Sequence, residues 1–169
     1  MDKELAVQSL TDTMAKFTAY IGKRLPKDVK SKLIELKTLE TNPLAKSIYD
    51  SMDENQEAAD RLNRPSCQDT GVIQYFVEAG AHFPLLGELQ EILREATEEA
   101  TRTGPLRHNA VETFDEKNTG TNTGTQIPWL DWRIVPEQDT CTIDVYMAGG
   151  GCTDRKSTRL NSSHLHVSR

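Results

Sequence analysis

The spacing of apolar residues changes along this chain, from a helical period over the first sixty residues to strand-like runs later. Residues 3–24 and a short segment after Pro26 carry apolar side chains about three to five positions apart, which predicts two helices. A third stripe starts at Leu44, directly after Pro43, a residue suited to a first helical turn. These helices are predicted to be scaffold, and residues 63–65 are predicted to end the helical block.

The later segments predict strands and one further helix. The apolar run 72–79 reads as a buried strand. The next helix is predicted to begin near Pro84, and Gly104 stops it. Residues 129–135 begin a second strand region after a loop rich in Thr, Asn and Gly. Together these elements predict an α/β fold, with a helical N-terminal part followed by mixed strands and helices.

The last predicted strand, residues 140–147, alternates apolar and polar side chains. Cys141 falls on its apolar face with Ile143, Val145 and Met147. Because alternate residues of a strand point to the same side of a sheet, Cys141 is interpreted as a core residue.

The final segment, residues 154–169, resembles a translated sequencing adapter. Residues 154–164 match a widely used short-read adapter codon for codon, and 167–169 match its constant continuation after a variable index. The segment also lacks apolar periodicity. We therefore expect residues 1–153 to be the N-terminal part of a native domain and residues 154–169 to be a non-native tail. We therefore expect the tail to have no part in the function.

The charge of the chain excludes some classes of partner. The net charge is −6, and removing the tail, with its four basic residues and one acidic residue, makes it −9 for residues 1–153. A surface this acidic, with no basic stripe, predicts no nucleic-acid partner and no attraction to anionic lipid. No apolar run reaches the roughly 18 to 20 residues that span a bilayer, so we expect a cytoplasmic protein.

Several polar motifs follow one another in a distinctive order. The first is the run 65–71, Pro-Ser-Cys-Gln-Asp-Thr-Gly, directly before a strand. The others are Phe-Pro-Leu-Leu-Gly-Glu-Leu at 83–89, Pro-Leu-Arg-His-Asn-Ala-Val-Glu at 105–112, Asn-Thr-Gly-Thr-Asn-Thr-Gly at 118–124 and Ala-Gly-Gly-Gly-Cys at 148–152. Taken together, they resemble the alpha subunits of the iron-sulfur hydro-lyases, the family of class I fumarate hydratases and L(+)-tartrate dehydratases. The resemblance implies the N-terminal portion of the class I fumarase-type cluster domain.

The resemblance implies a metal cofactor in the complete protein. Members of the family hold a [4Fe-4S] cluster with three cysteines, and the iron without a protein ligand acts as a Lewis acid on the departing hydroxyl. Cys67 matches the first of these cysteines, although a lone cysteine is more often a small core residue. Cys152 is not assigned as a ligand. The other two ligands belong to later segments of the family, so we expect this chain alone to be inactive.

The resemblance also implies which residues contact substrate. Gln68 and Asp69 match positions that face substrate, and Asp69 is the candidate for proton transfer. Arg107 matches the substrate-binding arginine, whose guanidinium can pair with a carboxylate through two hydrogen bonds. A substrate carboxylate lies near the glycine run Gly149, Gly150 and Gly151, where backbone amides can approach a ligand closely. His108 is either a further polar contact or a structural histidine.

The implied reaction is the reversible elimination of water from a four-carbon hydroxy dicarboxylate. The motifs favour conversion of L(+)-tartrate to oxaloacetate, and a malate/fumarate hydratase alpha subunit is the alternative. The implied partner is a separate beta subunit, with dimers of alpha-beta pairs. A non-catalytic binding or scaffold module is an alternative of a different class, since the first sixty residues could form an ordinary helical array. A zinc or redox protein is disfavoured because the chain has no closely spaced cysteine pair.

Overall fold

A computed structural model describes residues 2–66, 71–112, 114–149 and 163–167 of this chain. The helices in these ranges are α1 (Lys3–Ile21), α2 (Lys27–Leu39), α3 (Pro43–Leu62) and α4 (Leu89–Thr103). The strands are β1 (Val72–Gly80), β2 (Trp129–Val135), β3 (Cys141–Ala148) and β4 (Ser163–Val167). The α/β class and the helical N-terminal part predicted from the sequence are confirmed.

The first three helices begin where the sequence predicts, and α3 ends there too, whereas α1 ends at Ile21, three residues before the end of the predicted range 3–24. The side chain of Asp2 caps α1 by accepting a hydrogen bond from the Glu4 N–H, and Asn42 caps α3 in the same way. Pro43 occupies the first turn of α3, where a missing N–H costs nothing. Asn63 ends this helix in a left-handed conformation, which asparagine tolerates better than most residues do.

The apolar stripe of α3 is largely uncovered in this chain. Leu44, Ile48 and Met52 are 71%, 57% and 40% exposed, and Ala59 is the buried residue that α3 contributes. The helix is joined to α2 by Lys37, whose ammonium group lies 2.7 Å from Asp50 and 2.8 Å from Asp53. Hydrogen bonds to these two carboxylates raise the pKa of Lys37.

The prediction that α4 begins near Pro84 is wrong by about one turn. Residues 84–88 form successive turns, with the Leu86 N–H donating to the Phe83 carbonyl and the Glu88 N–H donating to the Leu85 carbonyl. The helix starts at Leu89. Gly87 lies within this segment, and glycine is among the weakest helix formers, so the local sequence supports turns at least as well as a helix.

The sheet is mixed, with strand order β2-β1-β3-β4. β2 pairs with β1 in parallel, and β3 pairs with β1 antiparallel, with Val72 opposite Ala148. Because of these directions, β1 and β2 begin at the same end of the sheet at which β3 finishes. We call this the proximal end. The chain leaves β1 at the opposite end and returns through α4 to the start of β2.

The hydrophobic core lies between one face of the sheet and helices α1 and α4. β1 contributes the alternate residues Ile73, Tyr75, Val77 and Ala79, and β3 contributes Cys141, Ile143 and Val145. The prediction that Cys141 is a core residue is confirmed, since only 1% of it is exposed. Burial raises the pKa of its thiol to about 11, because a thiolate is poorly stabilised away from water.

β4 comes from the adapter-like segment and extends the sheet at the outer edge of β3. It runs antiparallel to β3, with Cys141 opposite Val167 and Val145 opposite Ser163. Backbone groups at a sheet edge can pair with almost any extended segment, because the ladder of hydrogen bonds uses no side chains. The pairing therefore shows that the β3 edge accepts a strand.

Candidate functional site

The cysteine motif (65–71) and the glycine motif (148–152) adjoin the proximal end of the sheet. The first enters β1 there, and the second follows β3. The pairing of Val72 with Ala148 means that the residues before β1 and the residues after β3 are neighbours. Gly71, buried and at φ +73°, lies on the first side, and Gly149 lies on the second. A left-handed backbone is easily adopted only by glycine, which explains Gly71 at the end of its motif. The cysteine motif and the glycine motif therefore approach the same end of the sheet.

The cysteine motif is held from two helices at Ser66. The Ser66 N–H donates to the carbonyl of Gly22 at the end of α1, 3.3 Å away. The Ser66 carbonyl accepts a hydrogen bond of 2.7 Å from the Asn55 side chain of α3. Ser66 is thus fixed on both sides, one residue before Cys67.

The arginine motif reaches the same point on α1. Leu106 is buried, and its side chain packs so closely on Gly22 that a Cβ added at Gly22 would overlap the Leu106 Cδ2. Gly22 therefore contacts Ser66 through its carbonyl and Leu106 through its α-carbon. These two residues immediately precede Cys67 and Arg107, so the backbone brings the cysteine and arginine motifs together.

A buried chain of hydroxyl groups supports this end of the sheet. The Tyr75 hydroxyl lies 3.1 Å from Thr18 Oγ1 of α1 and 3.0 Å from Thr97 Oγ1 of α4. The Thr97 hydroxyl donates to the Leu93 carbonyl, so it accepts from Tyr75, which in turn accepts from Thr18. Burial raises the pKa of Tyr75, and its hydrogen bonds with the two threonines oppose that rise. The phenol stays protonated and ties the two helices to β1.

Arg107 itself is exposed, in the long connection between α4 and β2. Its backbone carbonyl accepts a hydrogen bond of 2.8 Å from the side-chain amide of Asn122. Neither Asn122 nor Tyr75 was identified from the sequence. The motif 118–124 did mark the segment that contains Asn122, but the burial of this asparagine cannot be read from the residue types.

Most of the predicted site residues lie outside the described residues. These are Cys67, Gln68, Asp69, Gly150 and Gly151, and Cys152 lies there too. Their roles remain predictions. Of the predicted site residues, the structure describes Arg107 and Gly149.

A cleft of about 600 Å³ lies beside the arginine motif, between α1, α4 and the loop. His108 and Thr121 line one side of it, and His108 is exposed. The carboxylates of Asp12, Glu95, Glu98 and Glu99 line it as well, with Arg102 as the cation of the set. Because these carboxylates outnumber the cation, the cleft would repel a dicarboxylate. We therefore do not assign it to such a substrate, and the exposed His108 remains without a role.

The described ranges do not by themselves form a metal centre. They contain no group of three or more His, Cys, Asp or Glu residues placed to hold a metal ion. Cys141 is enclosed in the core with a raised thiol pKa, which opposes the thiolate form that iron requires. A cubane ligated by three cysteines therefore does not fit this part of the chain.

Among the helices of the same ranges, none is long and apolar enough to cross a bilayer.

Comparison with known families agrees with the order of the motifs. Residues 11–166 match the family described as Fumarate hydratase (Fumerase). The match covers most of the chain, which therefore belongs to this family of hydro-lyases.

Three individual relatives show how similar the chain is to named members of the family. The chain is 57% identical over 152 residues to "L(+)-tartrate dehydratase subunit alpha" of Escherichia coli strain K12, and 58% identical over 152 residues to the protein of that name in strain UTI89. In both cases the match covers 90% of this chain and 50% of the relative. "Putative fumarate hydratase class I" of Geobacillus stearothermophilus is 27% identical over 150 residues, covering 88% of this chain and 29% of the relative. The chain thus spans about half the length of the tartrate dehydratase subunits it matches.

Proposed function

We propose that this chain is part of the alpha subunit of an iron-sulfur hydro-lyase that eliminates water from L(+)-tartrate to give oxaloacetate. The identity of 57% to a tartrate dehydratase subunit, against 27% to a fumarate hydratase relative, supports tartrate over malate. Both substrates are four-carbon dicarboxylates that differ by one hydroxyl group, and the elimination of water is common to both.

The observation that carries the proposal is the meeting of the cysteine and arginine motifs at Gly22. Ser66 and Leu106 both contact Gly22, and Gly149 leaves the sheet at the same end. Water elimination from a dicarboxylate needs a cation for a carboxylate and a group that handles the proton. In the proposal, Arg107 pairs with the carboxylate and Asp69 handles the proton. Gln68 and the backbone amides of 149–151 orient the substrate.

The complete enzyme would hold a [4Fe-4S] cluster, with Cys67 as one ligand. The cluster would supply Lewis acidity at the departing hydroxyl. The family resemblance places the other two cysteine ligands in later segments, so in the proposal they come from protein outside this chain.

The partner in the proposal is a beta subunit, because the relatives at 57% and 58% identity are named as alpha subunits. We further propose a dimer of alpha-beta pairs in the cytoplasm. A reducing compartment suits both the free thiol of Cys141 and an oxygen-sensitive cluster.

The decisive experiment is the substitution Arg107→Ala in the complete alpha-beta complex, prepared anaerobically. We expect kcat/KM for L-tartrate to fall by at least about a hundredfold with the iron and sulfide content unchanged, since a bidentate charged contact to substrate is lost. The matched control is Arg102→Ala, which removes an exposed arginine five residues away that pairs with Glu99. Equal activity of the Arg107→Ala complex and the unmodified complex would remove Arg107 from the site.

Substrate choice is tested in the same complex by comparing kcat/KM for L-tartrate and L-malate. We expect a clear preference for L-tartrate. A strong preference for L-malate would replace the tartrate assignment by a malate/fumarate hydratase. A complex with no turnover of either acid, despite a full complement of cluster, would support a non-catalytic binding or scaffold module.

A further inference from the structure

Asn122 makes hydrogen bonds to four different residues around the arginine motif. Its Oδ1 accepts from the backbone N–H groups of Asn109 and Ala110, at 2.9 and 3.2 Å. Its Nδ2 donates to the Arg107 carbonyl at 2.8 Å and to Thr101 Oγ1 at 3.2 Å. The side-chain amide therefore joins the backbone of residues 107–110 to the last turn of α4.

The orientation of this amide is determined by its partners. Two N–H groups need an acceptor and a carbonyl needs a donor, so the oxygen and nitrogen of Asn122 cannot be exchanged. Asn122 is 3% exposed, so water cannot readily replace these bonds. Its backbone is left-handed, at φ +58°, a conformation that asparagine adopts more readily than most residues.

The segment that Asn122 holds has no strand or helix of its own. Residues 105–110 are irregular, so their backbone polar groups need partners other than a regular ladder. Asn122 supplies a partner to three of these groups. The Thr101 hydroxyl that Asn122 contacts donates in turn to the Thr97 carbonyl, and the Thr97 hydroxyl bonds to Tyr75. The arginine motif is thereby tied to β1 through buried hydrogen bonds.

We propose that Asn122 is the positioning residue of Arg107: it fixes the backbone from which the guanidinium reaches a substrate carboxylate. This inference rests on the proposed function, in which Arg107 binds that carboxylate. A bidentate pair depends on geometry, and a displacement of about 1 Å in a substrate-positioning group can cost about a hundredfold in rate. The side chain that sets the backbone of Arg107 is therefore expected to control the strength of binding.

The effect of the Asn122 hydrogen bonds on the backbone of residues 107–110 is tested in this chain by limited trypsin digestion. Asn122→Asp keeps the shape and the acceptor but loses both donors, and Asn122→Gly removes the side chain while tolerating the left-handed backbone. We expect cleavage after Arg107 to become at least about tenfold faster in both variants, since buried hydrogen bonds are lost. Cleavage after the exposed Arg133, on β2, measures any global unfolding. The ratio of the cleavage rate after Arg107 to the rate after Arg133 therefore measures local opening of the arginine motif.

The control variant is Glu137→Gly, which relaxes another left-handed residue, at φ +57°, in the turn between β2 and β3 at the far end of the sheet. We expect the cleavage ratio to stay at its original value in this variant. An unchanged ratio in both Asn122→Asp and Asn122→Gly would overturn the inference.

The link to substrate is tested by a double-mutant cycle in the complete alpha-beta complex, with kcat and KM measured separately. We expect Asn122→Asp to raise KM for the dicarboxylate about tenfold or more in the presence of Arg107, and by less than about twofold in the Arg107→Ala background. Equal effects in both backgrounds, or no effect in either, would overturn the positioning role while leaving the proposed function in place. An unchanged kcat/KM in the Arg107→Ala complex would remove Arg107 from the site, and the positioning role of Asn122 would fall with it, whereas the reaction itself is tested by turnover of L-tartrate and L-malate.

Discussion

The backbone N–H of Ser66 donates to the carbonyl oxygen of Gly22, 3.3 Å away, and so joins the entry to β1 to the end of the first helix. The relationship links two segments more than forty residues apart in the sequence. Leu106 packs on the same glycine, so the end of α1 forms a common base for the cysteine and arginine motifs. The placement of α1 against α4 should therefore affect the candidate site as well as stability.

The first prediction concerns the close approach of α1 and α4. A Cβ added at Gly104 would lie 2.6 Å from the Cβ of Ala19, closer than two side chains can be. We expect Gly104→Ala to lower the free energy of unfolding by about 1–3 kcal/mol, because the added methyl group overlaps both Ala19 of α1 and the Ala100 carbonyl oxygen of α4, 2.5 Å away. Urea denaturation measures the effect. The control is Gly87→Ala, which has open space around the added methyl group. Equal stability of the two variants would contradict the prediction.

The second prediction concerns the hydroxyl of Tyr75. Tyr75→Phe keeps the ring but leaves the buried Thr18 hydroxyl without its bond. We expect the free energy of unfolding to fall by about 1–3 kcal/mol, the usual cost of an unpaired buried polar group. Tyr49→Phe, at a half-buried tyrosine of α3, should change it by less than about 0.5 kcal/mol. Equal losses in the two variants would show that the buried hydroxyl chain does not stabilise the fold.

Some of these features could be predicted from the sequence, and others could not. The alternation of apolar and polar residues at 140–147 was sufficient to place Cys141 in the core, because alternate side chains of a strand lie on the same face of the sheet. The start of α4 was missed because the apolar spacing from Leu85 to Leu89 suits turns and a helix equally.

The contacts of Asn122 were beyond prediction for a different reason. Its partners lie 12 to 21 residues earlier in the sequence, and three of its four contacts are to backbone groups, which leave no pattern in the residue types. The motifs 105–112 and 118–124 did mark two segments that these hydrogen bonds join. The hydrogen bonds that join those segments required the fold.

The third prediction is a pH dependence arising from Cys141. Its thiol pKa is about 11 in the folded chain and about 9 in its ordinary state. A raised pKa contributes stability that is present below pH 9 and is lost as the pH rises toward 11, because the unfolded thiol ionises first. We expect Cys141→Ala to show a smaller loss of stability between pH 9 and 11 than the unmodified chain. Denaturation curves across that range test this, and equal slopes would contradict it. Tyr75 contributes in the same direction in both proteins.

The same burial should make Cys141 slow to react with alkylating reagents. The thiolate is the reactive form, and at pH 8 a pKa of about 11 leaves only about one thiol in a thousand ionised. We expect iodoacetamide to modify Cys141 only after unfolding in urea, as followed by peptide mass spectrometry. Rapid modification of the folded chain would show that β3 opens locally, since the thiol is enclosed there.

The last prediction concerns iron. The sequence contains three cysteines, and Cys141 is held in the core, which leaves Cys67 and Cys152 as the thiols that could reach a cluster. Two thiolates are fewer than the three by which the family is expected to hold a [4Fe-4S] cluster. We therefore expect anaerobic reconstitution of this chain to yield well under four iron and four sulfide per molecule, with no dehydratase turnover. Cys67→Ser should leave that low content nearly unchanged. A stoichiometric cluster that disappears in Cys67→Ser would contradict the prediction and would make this chain sufficient to build the metal centre.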